Sequence, residues 1–413
     1  MIGSGEFSAP FLLEIIEKGF SFLQIYVILS VYVYYSKDDE TLMRGDRMEM
    51  LKKVTIVLPS LDPDEKLKAV IDGLLEVGFS DIILVNDGSK PENLHWFEEM
   101  NAHEEVTLLH HQVNRGKGAA LKTAFTWFLE NRPEQIGVVT VDGDNQHHPE
   151  DTKACALNMG QKHVMTLGVR DFDQPDVPAR SKSGNKITSK VFKIFCGMTL
   201  TDTQTGLRAI PRDAVEEFVT VKGDRFEYET NMLLALKEKD IPYEEVKIRT
   251  VYIEENKSSH FHPILDSWRI YKLILAHFFK YTLSAMLAGV LELVLVWLLN
   301  LLLHNVVAVG IQNVLVTASA RLLSSVPNFY LNKKMVFKSK VGTEAAAARY
   351  LILMGICLVL QMALNELIYF VFSIGAGEEF LRTAVHLGVM IVLFVANFVI
   401  QQRWVFAESK KRK

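Results

Sequence analysis

Ile136-Gly137-Val138-Val139-Thr140-Val141-Asp142 is a continuous apolar, β-branched run that ends on a carboxylate. A short run of this kind reads as a buried strand. Working outward, the same signature recurs at Val54–Pro59 (VTIVLP), Asp81–Val85 (DIILV), Val106–His110 and His163–Val169. Between these runs, Asp64–Val77, Pro91–Asn101 and Gly116–Leu129 have apolar residues at helical spacing. Strands alternating with helices predict an α/β domain with a mostly parallel sheet covered on both faces. Ligands of such sheets bind beyond the carboxyl ends of the strands. Pro59, Asp87, Asp142 and Arg170 all fall at or just after those ends.

The chain has 413 residues, a formal net charge of −4 and 49% apolar residues. The near-balanced charge gives no electrostatic footprint for nucleic acid. Cys155, Cys196 and Cys357 are widely spaced and form no CxxC pair, which argues against a disulfide framework or zinc site and fits a reduced, cytosol-facing domain. Residues 53–262 read as a soluble domain, and residues 281–406 as a membrane domain dominated by long apolar runs. Residues 1–52 form an N-terminal segment. It includes GSGEFSAP (3–10), with the composition of a cloning scar, and an uncharged run, Phe20–Tyr35, that suits either a membrane helix or an interfacial one.

Asp142-Gly143-Asp144-Asn145-Gln146 carries the most chemistry. Two carboxylates so close in a turn can share one hard cation, magnesium or manganese, which takes oxygen ligands and keeps substrate phosphates in its shell. Such a cation would neutralise a diphosphate leaving group. A solvated turn can have the same composition. Asp87, in Asn86-Asp87-Gly88-Ser89, can accept from a nucleoside or close an Asx turn. Asn114-Arg115-Gly116-Lys117-Gly118 opens a helix and suits an anion, or a glycine-rich turn with solvated cations. Thr201–Arg208 (TDTQTGLR) is dense in hydrogen-bonding groups, as a site loop is.

The ordered motifs NDGS, NRGKGAALKTA, VDGDNQHHPED, GVRDF, RSKSGNKITS, TDTQTGLRAI and SSHFHPILDSWRIYKLIL resemble the polyprenyl-phosphate glycosyltransferases over about residues 53–275. These are inverting enzymes of the GT-A (Rossmann-like) fold, akin to dolichyl-phosphate mannose synthase and the bactoprenol glucosyltransferases. The resemblance implies transfer of a hexose from a nucleotide sugar to polyprenyl phosphate, with a UDP-sugar favoured and GDP-mannose as the alternative. It implies nucleotide-sugar contacts from Pro59, Asp87, Lys117, Asp142, Asp144 and Gln146. Asp142, Asp144 and Gln146 would hold the Mg or Mn cation. Arg170, Arg180 and Arg208 would meet the acceptor phosphate, and Asp202, Asp144 and Arg208 would serve catalysis. The first loop departs from the family pattern: Asp62 and Pro63 stand where Asn and Glu are usual, with Glu65 as a replacement carboxylate.

Residues 263–280 read as an amphipathic juxtamembrane helix; Trp268, Arg269, Tyr271 and Lys272 suit an anionic bilayer surface. Four spans follow, at Tyr281–Leu303, Val306–Val326, Tyr350–Phe372 and Phe380–Ile400, an all-α transmembrane domain that resembles the GtrA-like family. Lys333, Lys334, Lys338 and Lys340, with the basic tail of residues 407–413, place the catalytic domain and C-terminus in the cytoplasm of a cell (plasma) membrane protein. Asn328–Phe337 (NFYLNKKMVF) and Asn397–Phe406 (NFVIQQRWVF) form an internal repeat. Glu292, Arg321 and Glu366 lie within spans, where charges either handle a lipid phosphate or pair structurally. The partners implied are the nucleotide sugar, an undecaprenyl-like phosphate, the bilayer and, in an open oligomeric state, a second copy. The competing classes are a transporter-like protein that presents or translocates polyprenyl-linked sugar, and a sugar nucleotidyltransferase.

Overall fold

The computed structural model describes residues 45–174, 177, 179–249, 265–303, 309–375 and 377–407. The N-terminal run Phe20–Tyr35, the segment 251–264 and the basic tail from 408 lie outside the described residues. The chain divides into two compact units: Met1–Asp171, Thr205–Tyr228 and Glu238–Ser259 form one, and Phe172–Gln204, Glu229–Lys237 and His260–Lys413 the other.

The first unit is built on a seven-stranded sheet of order β3-β2-β1-β4-β6-β5-β7. The strands are β1 (Val54–Ser60), β2 (Ile82–Asn86), β3 (Val106–His110), β4 (Gly137–Thr140), β5 (Met165–Arg170), β6 (Arg208–Pro211) and β7 (Tyr243–Ile248). β1, β2, β3 and β4 pair in parallel, as their unbroken apolar runs require. β6 enters antiparallel to both β4 and β5. Helices α1 (Lys66–Glu76), α2 (Leu94–Met100), α3 (Lys117–Asn131) and α4 (Pro149–Lys162) occupy the connections. α1 buries Leu67, Val70, Ile71 and Leu74, one face of a 3.6-residue period. These side chains join Ile56, Leu58, Ile82, Leu84 and Val139 in one core. α6 (Arg212–Val219) follows β6 directly. The arrangement is the mostly parallel α/β sheet expected.

In the second unit, α5 (Ala179–Val191) runs on into a π-helical turn, Phe192–Cys196. α7 (Glu227–Glu238) contributes its later turns to this unit. α8 (Leu265–Ile274) lies within residues 263–280, the segment expected as a juxtamembrane helix, with Trp268 exposed. Four long helices follow: α9 (Ala276–Leu303), α10 (Val309–Leu331), α11 (Thr343–Val371) and α12 (Glu379–Ile400). Among the described residues, three segments are long and apolar enough to cross a membrane: Phe278–Leu302, Thr343–Val371 and Glu379–Val405. α10 forms as a helix but has Gln312, Asn313, Arg321, Ser324 and Pro327 along it, and its expected start at residues 306–308 lies outside the described residues.

The internal repeat has a structural counterpart. Each copy ends in a π-helical turn, Asn332–Val336 and Gln401–Val405. Asn332 and Gln401 occupy equivalent repeat positions, and Asn332 Nδ2 donates to Gln401 Oε1 at 3.1 Å. Ser284 Oγ donates to Asn332 Oδ1 at 2.6 Å, and Gln401 Nε2 reaches Tyr281 OH at 3.5 Å. These four side chains are buried. A closed polar network within an apolar bundle specifies one packing, because any slip would leave polar groups unpaired.

Candidate active site

β2 delivers Asp87 to the sheet edge in a fully buried position. Its Oδ1 accepts from the Arg115 backbone N–H at 2.9 Å and its Oδ2 from that of Gly116 at 2.8 Å. His111 Nδ1 also meets Oδ1 at 2.7 Å, and His111 Nε2 lies 2.9 Å from Thr123 Oγ1. Asp87 therefore spends most of its acceptor capacity shaping the turn that begins α3. His111, just after β3, was not singled out in the sequence; its place beyond a strand end was the available signal.

That turn places Lys117 at the start of α3, and its ammonium reaches Asp142 Oδ1 at 2.7 Å. Asp142 follows β4, with His147 Nε2 at 3.7 Å from its other oxygen. Burial alone would raise the Asp142 carboxyl; Lys117 and His147 outweigh it and hold the group well below the usual carboxylate range. The Asp144 carboxyl is pushed up by burial and by the charge of Asp142, although the Gln146 backbone N–H donates to its Oδ1 at 3.1 Å. Asn145 takes a left-handed conformation (φ 60°) to close this turn.

The TDTQTG run approaches the same carboxylate through its glycine. A Cβ at Gly206 would stand 2.2 Å from Asp142 Oδ2, so only glycine leaves that oxygen in place. Thr140 Oγ1 donates to the Gly206 carbonyl at 2.7 Å, and Thr205 Oγ1 to that of Gly168 at 2.5 Å. Arg208 is opposite Thr140 in the β4–β6 ladder, buried, with Nε donating to the Thr205 carbonyl at 3.0 Å. The structure thus gathers Lys117, Asp142, Asp144, Gly206 and Arg208 at one end of β4 and β6.

The remaining candidates belong to other elements. Arg170 ends β5, paired with Ile248 of β7. Pro59 is in β1 opposite Val85. In the first loop, Asp62 Oδ1 accepts from the Lys90 N–H at 2.8 Å and from Asn93 Nδ2 at 3.2 Å, while Glu65 is exposed at the start of α1. Asp202 belongs to the second unit; it is buried, with Oδ1 accepting from the Gln204 N–H at 3.0 Å. Arg180 lies in α5, and its side chain is outside the described residues.

The donor set fits a divalent cation. Two carboxylates stand in one turn here, and burial and the charge of Asp142 raise the Asp144 carboxyl, a repulsion that a cation between them would relieve. Among the described residues, no three His, Cys, Asp or Glu side chains gather as a complete metal cage. Magnesium needs no such cage, because water and substrate phosphates complete its shell.

Residues 55–219 match the model of glycosyl transferase family 2, and residues 280–406 that of the GtrA/DPMS transmembrane domain. An uncharacterised protein of Methanocaldococcus jannaschii is 28% identical over 232 residues, covering 55% of this chain and 93% of that protein. The UDP-N-acetylglucosamine–dolichyl-phosphate N-acetylglucosaminyltransferase of Methanococcus voltae is 24% identical, over 54% of this chain and 96% of that protein. The undecaprenyl-phosphate 4-deoxy-4-formamido-L-arabinose transferase of Yersinia pestis is 27% identical over 41% of this chain; the match spans 51% of that protein. The chain therefore joins a family 2 glycosyltransferase domain to a GtrA/DPMS transmembrane domain, the pairing that the resemblance to polyprenyl-phosphate glycosyltransferases implied.

Proposed function

We propose that this chain transfers a hexose from a nucleotide sugar, a UDP-sugar in preference to GDP-mannose, to polyprenyl phosphate at the cytoplasmic face of the plasma membrane, with inversion at the anomeric carbon. The observation that carries this reading is the pairing, on one chain, of the Lys117–Asp142–Asp144 cluster with a GtrA/DPMS membrane domain. Two of the relatives named above are, by name, transferases acting on dolichyl phosphate or undecaprenyl phosphate.

Asp142, Asp144 and Gln146 would hold a magnesium or manganese ion against the donor diphosphate. When bound, the ion supplies the positive charge that makes the diphosphate a good leaving group. Lys117 would pass its ammonium from Asp142 to a donor phosphate oxygen, a reading that its 2.7 Å contact with Asp142 supports. Asp87 holds the Asn114–Lys117 turn in shape beside the nucleoside. Arg170, Arg180 and Arg208 would meet phosphates of donor or acceptor, and Asp202 would sit with the acceptor phosphate. A lipid monophosphate, with a second pKa of about 6, is largely a dianion at neutral pH and needs little deprotonation to attack. Catalysis then comes chiefly from positioning and charge neutralisation. Lys333, Lys334, Lys338 and Lys340, after α10, support the cytoplasmic orientation.

The test is to incubate membranes containing the chain with polyprenyl phosphate and a panel of nucleotide sugars, and to weigh the extracted lipid. A new species heavier by one sugar residue is expected with one donor. Sugar appearing only in soluble nucleotide, or no product with any donor, would sink the reading.

A further inference from the structure

The helix that precedes the Asp202 loop ends in a ring of donors from other parts of the second unit. The last carbonyls of a helix have no partner within it. After α5 and its π-helical turn, three of these carbonyls are met by side chains. Arg403 Nη2 donates to Lys193 O, Gln402 Nε2 to Phe195 O at 2.9 Å, and Lys237 Nζ to Cys196 O at 2.5 Å. Two of the donors are cations at a helix carboxyl terminus, the favourable sign for its dipole. Gly197 caps the turn at φ 68°, and a Cβ there would come within 2.9 Å of the Lys237 ammonium. Gln402 is held at a cost, since its Oε1 is buried with no partner among the described residues.

The same helix grips the loop. Asn185 of α5 donates from Nδ2 to Thr201 O at 2.6 Å, and its Oδ1 accepts from the Thr203 N–H at 3.3 Å, bracketing Asp202. Thr188 Oγ1 lies 3.2 Å from Tyr271 OH of α8, which ties α5 to the juxtamembrane helix as well. The repeat is asymmetric here. Lys333 and Lys334, equivalent to Gln402 and Arg403, meet partners within the membrane domain: Lys333 Nζ donates to Thr343 Oγ1 at 2.7 Å, and Lys334 lies over the Tyr330 ring.

We propose that Gln402 and Arg403, with Lys237, form a clasp by which the last turn of the membrane domain positions the Asp202 loop through α5 and Asn185. The proposal rests on the functional reading above for the role of Asp202; the clasp itself is a matter of geometry. Gln402 and Arg403 are positioning residues, and the membrane domain takes part in transfer as well as anchoring the chain.

The test uses the full chain in lipid nanodiscs. In the Gln402→Ala/Arg403→Ala variant, amide hydrogen exchange over residues 199–204 should speed up about tenfold, with α3 unchanged. The kcat for lipid glycosylation should fall about 10- to 100-fold, with the KM for the nucleotide sugar within about twofold. Arg403→Lys should restore most of both. Asn185→Ala added to the double variant should bring little further loss, because both act through one path. Lys333→Ala/Lys334→Ala should leave residues 199–204 as protected as in the unaltered chain. Unchanged exchange in the Gln402/Arg403 variant, or equal loosening in the Lys333/Lys334 variant, would overturn the clasp whatever the activity. A chain that never glycosylates polyprenyl phosphate, yet loosens at 199–204 as described, would keep the clasp and reject the assigned reaction.

Discussion

Two ion pairs in this molecule stand in opposite chemical surroundings. At the sheet edge, Lys117 meets Asp142 at 2.7 Å, with a second carboxylate, Asp144, in the same turn. In the membrane half, Arg321 of α10 meets Glu292 of α9 at 3.6 Å, and Ser324 Oγ donates to the same carboxylate at 3.5 Å. The first site sets two carboxylates in one short turn; the second pairs its charges one to one. Two like charges held in one turn repel, and a ligand of opposite sign relieves that, which is the role proposed here for the donor-site cation. A balanced pair between two helices of a bilayer protein offsets its own cost and holds the helices in register. The contrast separates two kinds of charged residue that sequence alone shows as equally conspicuous.

The largest effect that would break this contrast belongs to Asp142→Asn. Removing the charge that both Lys117 and a cation require should lower kcat by about 100-fold or more, measured as sugar entering lipid extract. Transfer that persists within tenfold would move the donor site away from this turn. Gly206→Ala comes next, because its methyl group would displace Asp142 Oδ2. A fall in kcat/KM of about tenfold is expected, with thermal stability little changed. In the membrane half, Glu292→Gln should leave transfer chemistry alone but strand Arg321. We expect a destabilisation of about 2–3 kcal/mol, read by denaturation in detergent, and recovery in Glu292→Gln/Arg321→Met. If the single and double variants denature alike, the pair is not the balanced one described. The smallest effect sharpens the comparison through cysteine labelling. Burial pushes the Cys155 thiol up to about 12, so maleimide at neutral pH should leave it unmodified in the native chain and modify it after unfolding. Cys357, midway along the apolar helix α11, should likewise stay unmodified while the chain is in a bilayer.

The strands that carry the site were legible because each is a compact apolar run. Val54–Pro59, Asp81–Val85 and Val106–His110 match β1, β2 and β3 within a residue or two. β6 was not, since Arg208–Pro211 is only RAIP, opened by a charge and closed by proline. It counts as a strand only because β4 and β5 flank it. β7 reads YEEVKI, and its charges suit an edge. α11 starts at Thr343, earlier than its apolar run suggested, because Glu344 and the alanines after it are good helix formers without being apolar enough to mark a span. Asp142 and Asp144 stood out in sequence; Gly206 did not, because a close approach between distant segments has no local signature.

Chain order and hydrophobic period determined the alternation of strands and helices, the junction between a soluble and an apolar half, and the ends of strands as the place to look for chemistry. These are local properties, set by which residues lie two or four positions apart, and they survive without coordinates. Only the tertiary structure decided that Asp87 turns inward to build the Lys117 turn, that Gly206 lies against Asp142, and that Asn332 bonds its own repeat partner Gln401. A polar side chain finds its partner by packing across the fold, and the sequence distance between the two says nothing about where they meet.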